Sequence, residues 1–348
     1  MPTPPDCPTL RSTLDTLATK RESLHLAITE AAETGDFDTA RTLEVEVKSL
    51  LASLRETMAP AILDASRELF KQDFLGPEEI GQTFGFTIDR NDIPLIPFSK
   101  QELEEASARG EMLVLNWDVT REGEPLTIER MAKLAIGNLP GKSNVIEKNR
   151  DGTPKRYLLY EDQFEDDGGI RNGAWFSGDR NMLEATPERG WQLVSQGIIP
   201  NSTSKNYPDQ TQLLVDHIKT TFPNGAFPKG SEEKKAEEEW ERERPNIRKL
   251  IDTNDDNGAS ESLSKLEITK RFREPVGNTI FRYLVAYKQG KQLFTDGKYS
   301  WSGTVVSDGY LANFGGADAG GAFVRRLVPR GVLAGRGVVF SRRRIIGH

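Results

Sequence analysis

Apolar positions in the N-terminal part of the chain fall at helical spacing. Leu10, Leu14, Leu17, Leu24 and Ile28 form one heptad stripe broken by Arg21, and Ala40, Leu43, Val47, Leu50 and Leu54 form a second. Between the stripes lies TGDFD, in which Gly35 can end one helix and Asp36 or Asp38 can cap the next. This pattern predicts an antiparallel helical hairpin over about residues 9–57. Two such helices bury one thin stripe, so the hairpin is expected to pack on the rest of the protein, pair with another copy or dock a partner.

Downstream the period becomes mixed. In FSKQELEEASARGEMLVLNWD, Ser99 precedes Glu102 by the capping-box interval, so a helix to Arg109-Gly110 is predicted, followed by a strand over MLVLNWD. TIERMAKLAIGN reads as a helix, KRYLLYED as a strand, and QFEDDGGIRNGAWFSGD as loops around Trp175. GWQLVSQGII predicts a short strand, followed by a polar turn and a helix from about Asp209. SEEKKAEEEWERERP has the charge density of a solvated helix anchored by Trp240, and REPVGNTIFRYLVAYKQG supplies another helix. KYSWS and GVVFS have the aromatic and β-branched character of buried strands, with Trp301 and Phe340 as core anchors. Helices and strands intermix without a βαβ rhythm, which makes the fold class α+β.

Composition limits the functions available. A chain of 348 residues is long for one compact domain, and a hydrophobic share of 36% suffices for a sizeable core. The net charge of -7 argues against a general nucleic-acid binder. Cys7 is the single cysteine, so no intrachain disulfide forms, and its usage fits a reducing compartment. MPTPPDCPTLRSTLD has no basic region leading into an apolar stretch, and no segment approaches the roughly 18 apolar residues of a membrane span, so a cytoplasmic location is expected.

The apparent chemical motifs are weak. GNLPGKS at Gly137–Ser143 has three residues between its glycines where a phosphate-binding loop needs four. DTNDDNG from Asp252 has its glycine one place late for a calcium loop, and Leu263 stands where the bidentate carboxylate belongs. His25, His217 and His348 are too scattered to form a metal or catalytic cluster, and Cys7 has no basic partner to activate it. No metal or other cofactor is implied.

The C-terminal segment is unusual in a different way. From Ser302 to His348 there is no Lys, Glu, Gln, Met or Trp, although these types fill 70 of the preceding 301 positions. At that frequency a stretch of 47 residues would lack all five about four times in a million. Glycine enrichment weakens the figure, but it does not explain seven Arg and no Lys after a chain with 19 Lys and 20 Arg. The genetic code does. Codons ending in C cannot encode these five types, so a segment templated on AAC codons and mutated at adenines drifts into the observed alphabet.

With that alphabet, YSWSGTVVSDGYLANFGGADAGGAFVRRLVPRGVLAGRGVVFSRRR resembles the variable region of target proteins of diversity-generating retroelements, especially those of candidate-phylum bacteria. IPFSKQELEEASARGEMLVLNWD and GWQLVSQGIIPNSTSKNYPDQTQLLVDHI are similar to the invariant part of such proteins, so the resemblance covers most of residues 90–348. It implies a C-type lectin fold with helical elaborations, whose 3′-encoded end is overwritten by an error-prone reverse transcriptase. GVVFSR at Gly337–Arg342 matches the family's apolar strand with a fixed Arg. The implied organisation is a helical hairpin at 1–62, a scaffold at 63–300 and a variable region at 301–348 that completes the lectin-like domain. The hairpin is not part of the resemblance.

Random substitution inside a core costs roughly 1–5 kcal/mol, so diversification is tolerable only at exposed sites. Leu311, Val324, Val338 and Phe340 are expected to point inward, with Asp308 and Asp318 in scaffold turns. The displayed face is expected at Gly303, Thr304, Val305, Tyr310, Asn313, Phe323, Arg325, Arg326, Leu327, Arg330, Val332, Leu333 and Arg336. Tyr310 and Phe323 offer rigid apolar area and the arginines forked donors. The expected activity is display without catalysis, with a protein or other macromolecule as partner. Two other readings stay open: nucleic-acid binding through the basic tail, and an enzyme of the formylglycine-generating type, which needs reactive cysteines beyond Cys7.

Overall fold

The computed structural model describes residues 36–138, 145–148, 154–160, 162–222, 225, 227–318 and 320–343, with Ala27 and Thr34 as isolated positions. The chain divides into two compact units, residues 1–66 and 67–348. The first helix of the expected hairpin, its Gly35 turn, Cys7, His25, His348 and most of GNLPGKS lie outside the described residues. The second helix, α1 (Phe37–Phe70), is present. Its cap is Asp36, whose carboxylate accepts from the Thr39 hydroxyl at 2.7 Å and the Thr39 N–H at 3.1 Å. These bonds hold the Asp36 carboxyl below its ordinary pKa. The helix does not stop near residue 57. It runs through Pro60, and Ile62, Leu63 and Phe70 continue its spacing.

In chain order the second unit continues with β1 (Phe74–Leu75), α2 (Pro77–Phe84), α3 (Lys100–Ala108), β2 (Glu111–Asn116), α4 (Ile128–Gly137), β3 (Val145–Lys148) and β4 (Pro154–Leu159). There follow α5 (Arg180–Leu183), β5 (Gly190–Ile198), α6 (Tyr207–Thr220), α7 (Glu232–Asp252), α8 (Asp256–Lys265), α9 (Glu267–Phe272) and α10 (Val276–Lys288). The C-terminal segment adds β6 (Tyr299–Val305), β7 (Leu311–Asp318), β8 (Gly320–Leu327), β9 (Arg336–Gly337) and β10 (Val339–Arg343). The fold class is α+β.

Local rules account for most element starts. Ser99 and Glu102 form the expected reciprocal cap of α3, with bonds of 3.3 and 2.8 Å. Asn206 caps α6, which begins at Tyr207, slightly before the expected start. DTNDDNG is a helix start, because the Asp255 carboxylate accepts from the Gly258 N–H at 2.9 Å and opens α8. Trp240 anchors α7 as expected, fully buried and donating its indole N–H to Gln212 at 2.9 Å.

Two sheets frame the unit. The first has the order β1-β2-β5-β10, with β5 antiparallel to both β2 and β10. The second has the order β3-β4-β8-β7-β6-β9; β6, β7 and β8 run antiparallel, and β4 and β9 join in parallel. The tail therefore closes the first sheet and forms the centre of the second. Helix α10 packs against β2, β6 and β7, and is buried on every side from Val276 to Ala286, as a helix between two sheets must be. Helices α6 to α9 build a further layer, in which Leu214, Trp240, Leu263 and Phe272 share a core with Trp301, Leu311, Val338 and Phe340. Among the described residues, no helix is long and apolar enough to cross a membrane.

Candidate ligand-binding face

The strand register assigns each tail side chain to a face. Trp301 pairs with Asn313 and Asn313 with Arg325; Tyr299 pairs with both Arg336 and Gly315, and Gly315 with Phe323. Side chains alternate along a strand, so these rows share one face with the row Val305, Leu311 and Leu327. Ser302, Ala312, Phe314, Val324 and Arg326 take the other. Leu311, Val324, Val338 and Phe340 are buried, as expected, at 0%, 0%, 0% and 1% exposure.

One end of the first face is dry. Val305 and Leu327 pack against the helical core around Trp301 and Leu311, so neither is freely displayed. Gly303 and Thr304 also serve the framework. The Gly303 N–H donates to the Glu274 carbonyl at 3.1 Å, and the Thr304 hydroxyl accepts from the Val276 N–H at 3.0 Å, at the first turn of α10. All four of these expected display positions are half-buried and make scaffold contacts.

The other end carries a ladder of rings and guanidinium groups. Tyr160 stacks on Phe323 with centroids 3.7 Å apart. The Arg325 guanidinium lies 4.3 Å from the Phe323 centroid and 5.5 Å from that of Tyr299, and Arg336 lies 5.5 Å from both Tyr299 and Trp301. Arg325 is exposed and Phe323 half-buried. Asn313 and Arg336 are not on the surface at all, with exposures of 0% and 5%. Both were expected on the displayed face, but Asn313 lies in the middle strand of three and Arg336 beside two rings. Burial, then the charge of Arg325, pulls the Arg336 pKa down to about 10, against an opposing effect of Tyr299.

The remaining expected residues lie in two further places. Arg326, on the opposite face, pairs with Asp308 and sits 5.0 Å from the Trp175 ring and 5.7 Å from that of Tyr310. Asp308 also accepts from the Tyr310 N–H at 3.2 Å, in keeping with its expected turn role. Arg330 bonds Asn254 and pairs with Asp256 at 3.1 Å, which ties its loop to α8. Val332 and Leu333, in that loop, are exposed at 54% and 46%. Phe323 and Arg325 meet on the ladder, Tyr310 and Arg326 meet on the opposite face, and Val332 and Leu333 are exposed on the loop before β9.

Tyr160, Trp175 and Tyr299 belong to these patches and were not expected there, since all three precede Ser302 and so lie outside the restricted segment. Strand alternation from Trp301 was the one signal that could have placed Tyr299. Gln163 holds the framework behind the ladder. Its amide donates to the Val324 carbonyl at 2.8 Å and accepts from the Val324 N–H at 3.0 Å, which satisfies the edge of β8 beyond its pairing with β4.

No metal-holding cluster of His, Cys, Asp and Glu occurs among the described residues. Comparison of the chain with protein-family models, with curated proteins and with solved structures yields no match in any of the three.

Proposed function

We propose that the second unit is a lectin-like scaffold whose C-terminal segment is a diversified binding surface, and that the protein captures a macromolecular ligand without catalysing a reaction. The observation that carries this reading is the alphabet of residues 302–343, taken with its burial. Core positions are filled by Leu, Val, Phe and Ala, while Arg325, Val332 and Leu333 stand exposed on strands and a loop whose backbone is fixed by buried neighbours. Because the tail supplies buried strands to both sheets, changes at those exposed tips rest on core positions of the same segment.

Nucleic-acid binding fits the tail less well. Arg326, Arg330, Arg342 and Arg343 pair with Asp308, Asp256, Glu102 and Glu188, so most of the described positive charge is already compensated.

The test is a library with positions 323, 325, 332 and 333 randomised in the full chain and selected against several unrelated proteins. Binders that remain folded are expected, since substitutions at the exposed positions 325, 332 and 333 stay within about 0.5 kcal/mol of neutral and Phe323 is only half-buried. A library in which most members fail to fold, or in which selected binding survives reversion of all four positions, would contradict the reading.

A further inference from the structure

Beside the ladder opens a cleft of about 490 Å³. The residues that line it include Tyr283, Tyr287, Tyr299 and Phe323, with Asp296 and Asp318 beside them. Among the described residues, no Lys, Arg or His lines it. The cleft exists because β7 kinks there: Gly315 and Gly316 adopt φ of 148° and 65°, and the pairing with β8 shifts before Asp318. No other residue fits at Gly316, where an added Cβ would lie 2.1 Å from the Tyr299 hydroxyl. The opposite wall is laced to this kink. Gly316 donates to the Lys298 carbonyl at 2.7 Å and Ala317 to the Phe294 carbonyl at 2.9 Å, which fixes the loop that carries Asp296.

Aromatic residues beside acidic ones in an open cleft favour one class of ligand. A ring's negative face attracts a cation at up to about 6 Å, and an organic cation also buries its carbon surface against the rings. The chain's own Arg325 already stacks on two of these rings. Burial, with Tyr287 and the Asp318 charge nearby, pushes the Tyr283 phenol well above its usual pKa, so that wall stays neutral. Arg325 and Arg336 both approach Tyr299 and repel a second cation from their side, which leaves the Asp296 and Asp318 side as its resting place.

We propose that this cleft binds an organic cation: a protonated or quaternary amine, or a guanidinium group. Tyr283, Tyr287, Asp296 and Tyr299 precede the restricted segment, so the preference does not require the tail to have been diversified. The cleft can fail as a cation site while the diversified-surface reading stands, and the reverse.

The test is calorimetric titration of the full chain with choline, N-acetyl-lysine amide and N-acetyl-arginine amide, each at millimolar concentration, and with 3,3-dimethylbutanol as the neutral isostere of choline. At least one cation is expected to bind about tenfold more tightly than the isostere. Choline as the tightest probe points to a free small amine, and either amide to a side chain of a partner protein. The double variant Asp296→Asn and Asp318→Asn removes both charges, and Asn tolerates the left-handed backbone at 296, where φ is 57°. It is expected to lose the discrimination while remaining folded, and Phe323→Leu to weaken cation binding several-fold. Equal binding of the isostere, no binding by any cation, or unchanged affinity in the folded double variant would overturn the proposal.

Discussion

Replacing Glu274 by Ala is expected to destabilise the second unit by about 3–5 kcal/mol. Glu274 and Arg282 are 1% and 0% exposed at their side chains, and the Glu274 carboxylate accepts from Arg282 Nε at 2.9 Å and Nη2 at 2.5 Å. Gln192, on β5 of the first sheet, donates to the same carboxylate at 2.7 Å. The pair therefore links the central helix α10 to a strand. Removing the carboxylate leaves a guanidinium in a place that water scarcely reaches, and that penalty exceeds the loss of the contact itself. Against a typical domain stability of about 5–15 kcal/mol the loss is large. Urea unfolding of the variant should show a lower midpoint at unchanged slope. The apolar pair Glu274→Leu with Arg282→Met should recover much of the loss, because no charge is then stranded. A midpoint shift worth less than about 1 kcal/mol in Glu274→Ala would show that the pair is not held as described.

The second large effect separates scaffold from display within the tail. Val338→Asp is expected to cost about 3–5 kcal/mol, because the position is fully buried in an apolar core where a carboxylate is taken out of water. Its backbone is fixed as well, donating to the Ser202 hydroxyl at 3.2 Å and accepting from the Ile199 N–H at 2.8 Å. Val332→Asp and Leu333→Asp place the same side chain six and five residues earlier on an exposed loop, and both should stay within about 0.5 kcal/mol of the parent. Thermal melts of the three variants side by side decide the matter. Similar melting temperatures for all three would mean that burial does not divide the segment into fixed and free positions.

Local features of the fold were the most legible in the sequence. The Ser99 cap, the apolar run of β2, the Trp240 anchor and the buried strands around Trp301 and Phe340 all depend on residues within a turn or two of each other. The end of α1 was misread because its apolar stripe was followed only to Leu54, although the helix continues through Pro60 to Phe70. Helices α8 and α9 were missed because they are short and their buried faces rest on Leu263, Ile268 and Phe272 among polar neighbours.

The binding surface was half legible for a different reason. Restricted composition marks where variation could enter, but exposure is set by strand register and by what packs above, and neither is local. Thus Arg325 is displayed while Asn313, its partner across the strand pair, is sealed, and Arg326 points to the opposite face. The cation cleft was not legible at all, because its walls come from α10, the loop before β6, and the kink in β7.

Adenine-directed copying of a template, as proposed for the tail's exposed residues, leaves its record in the gene. The most direct measurement is the coding DNA from Ser302 to the stop codon, together with the several kilobases beyond it. The account predicts a near-repeat of this segment that differs only where the repeat has adenine, beside a reverse-transcriptase gene, with codons for Phe323, Arg325, Val332 and Leu333 among the differing positions. No such repeat, with third bases mixed across the segment in place of C, would contradict it and reduce the five missing amino acids to coincidence.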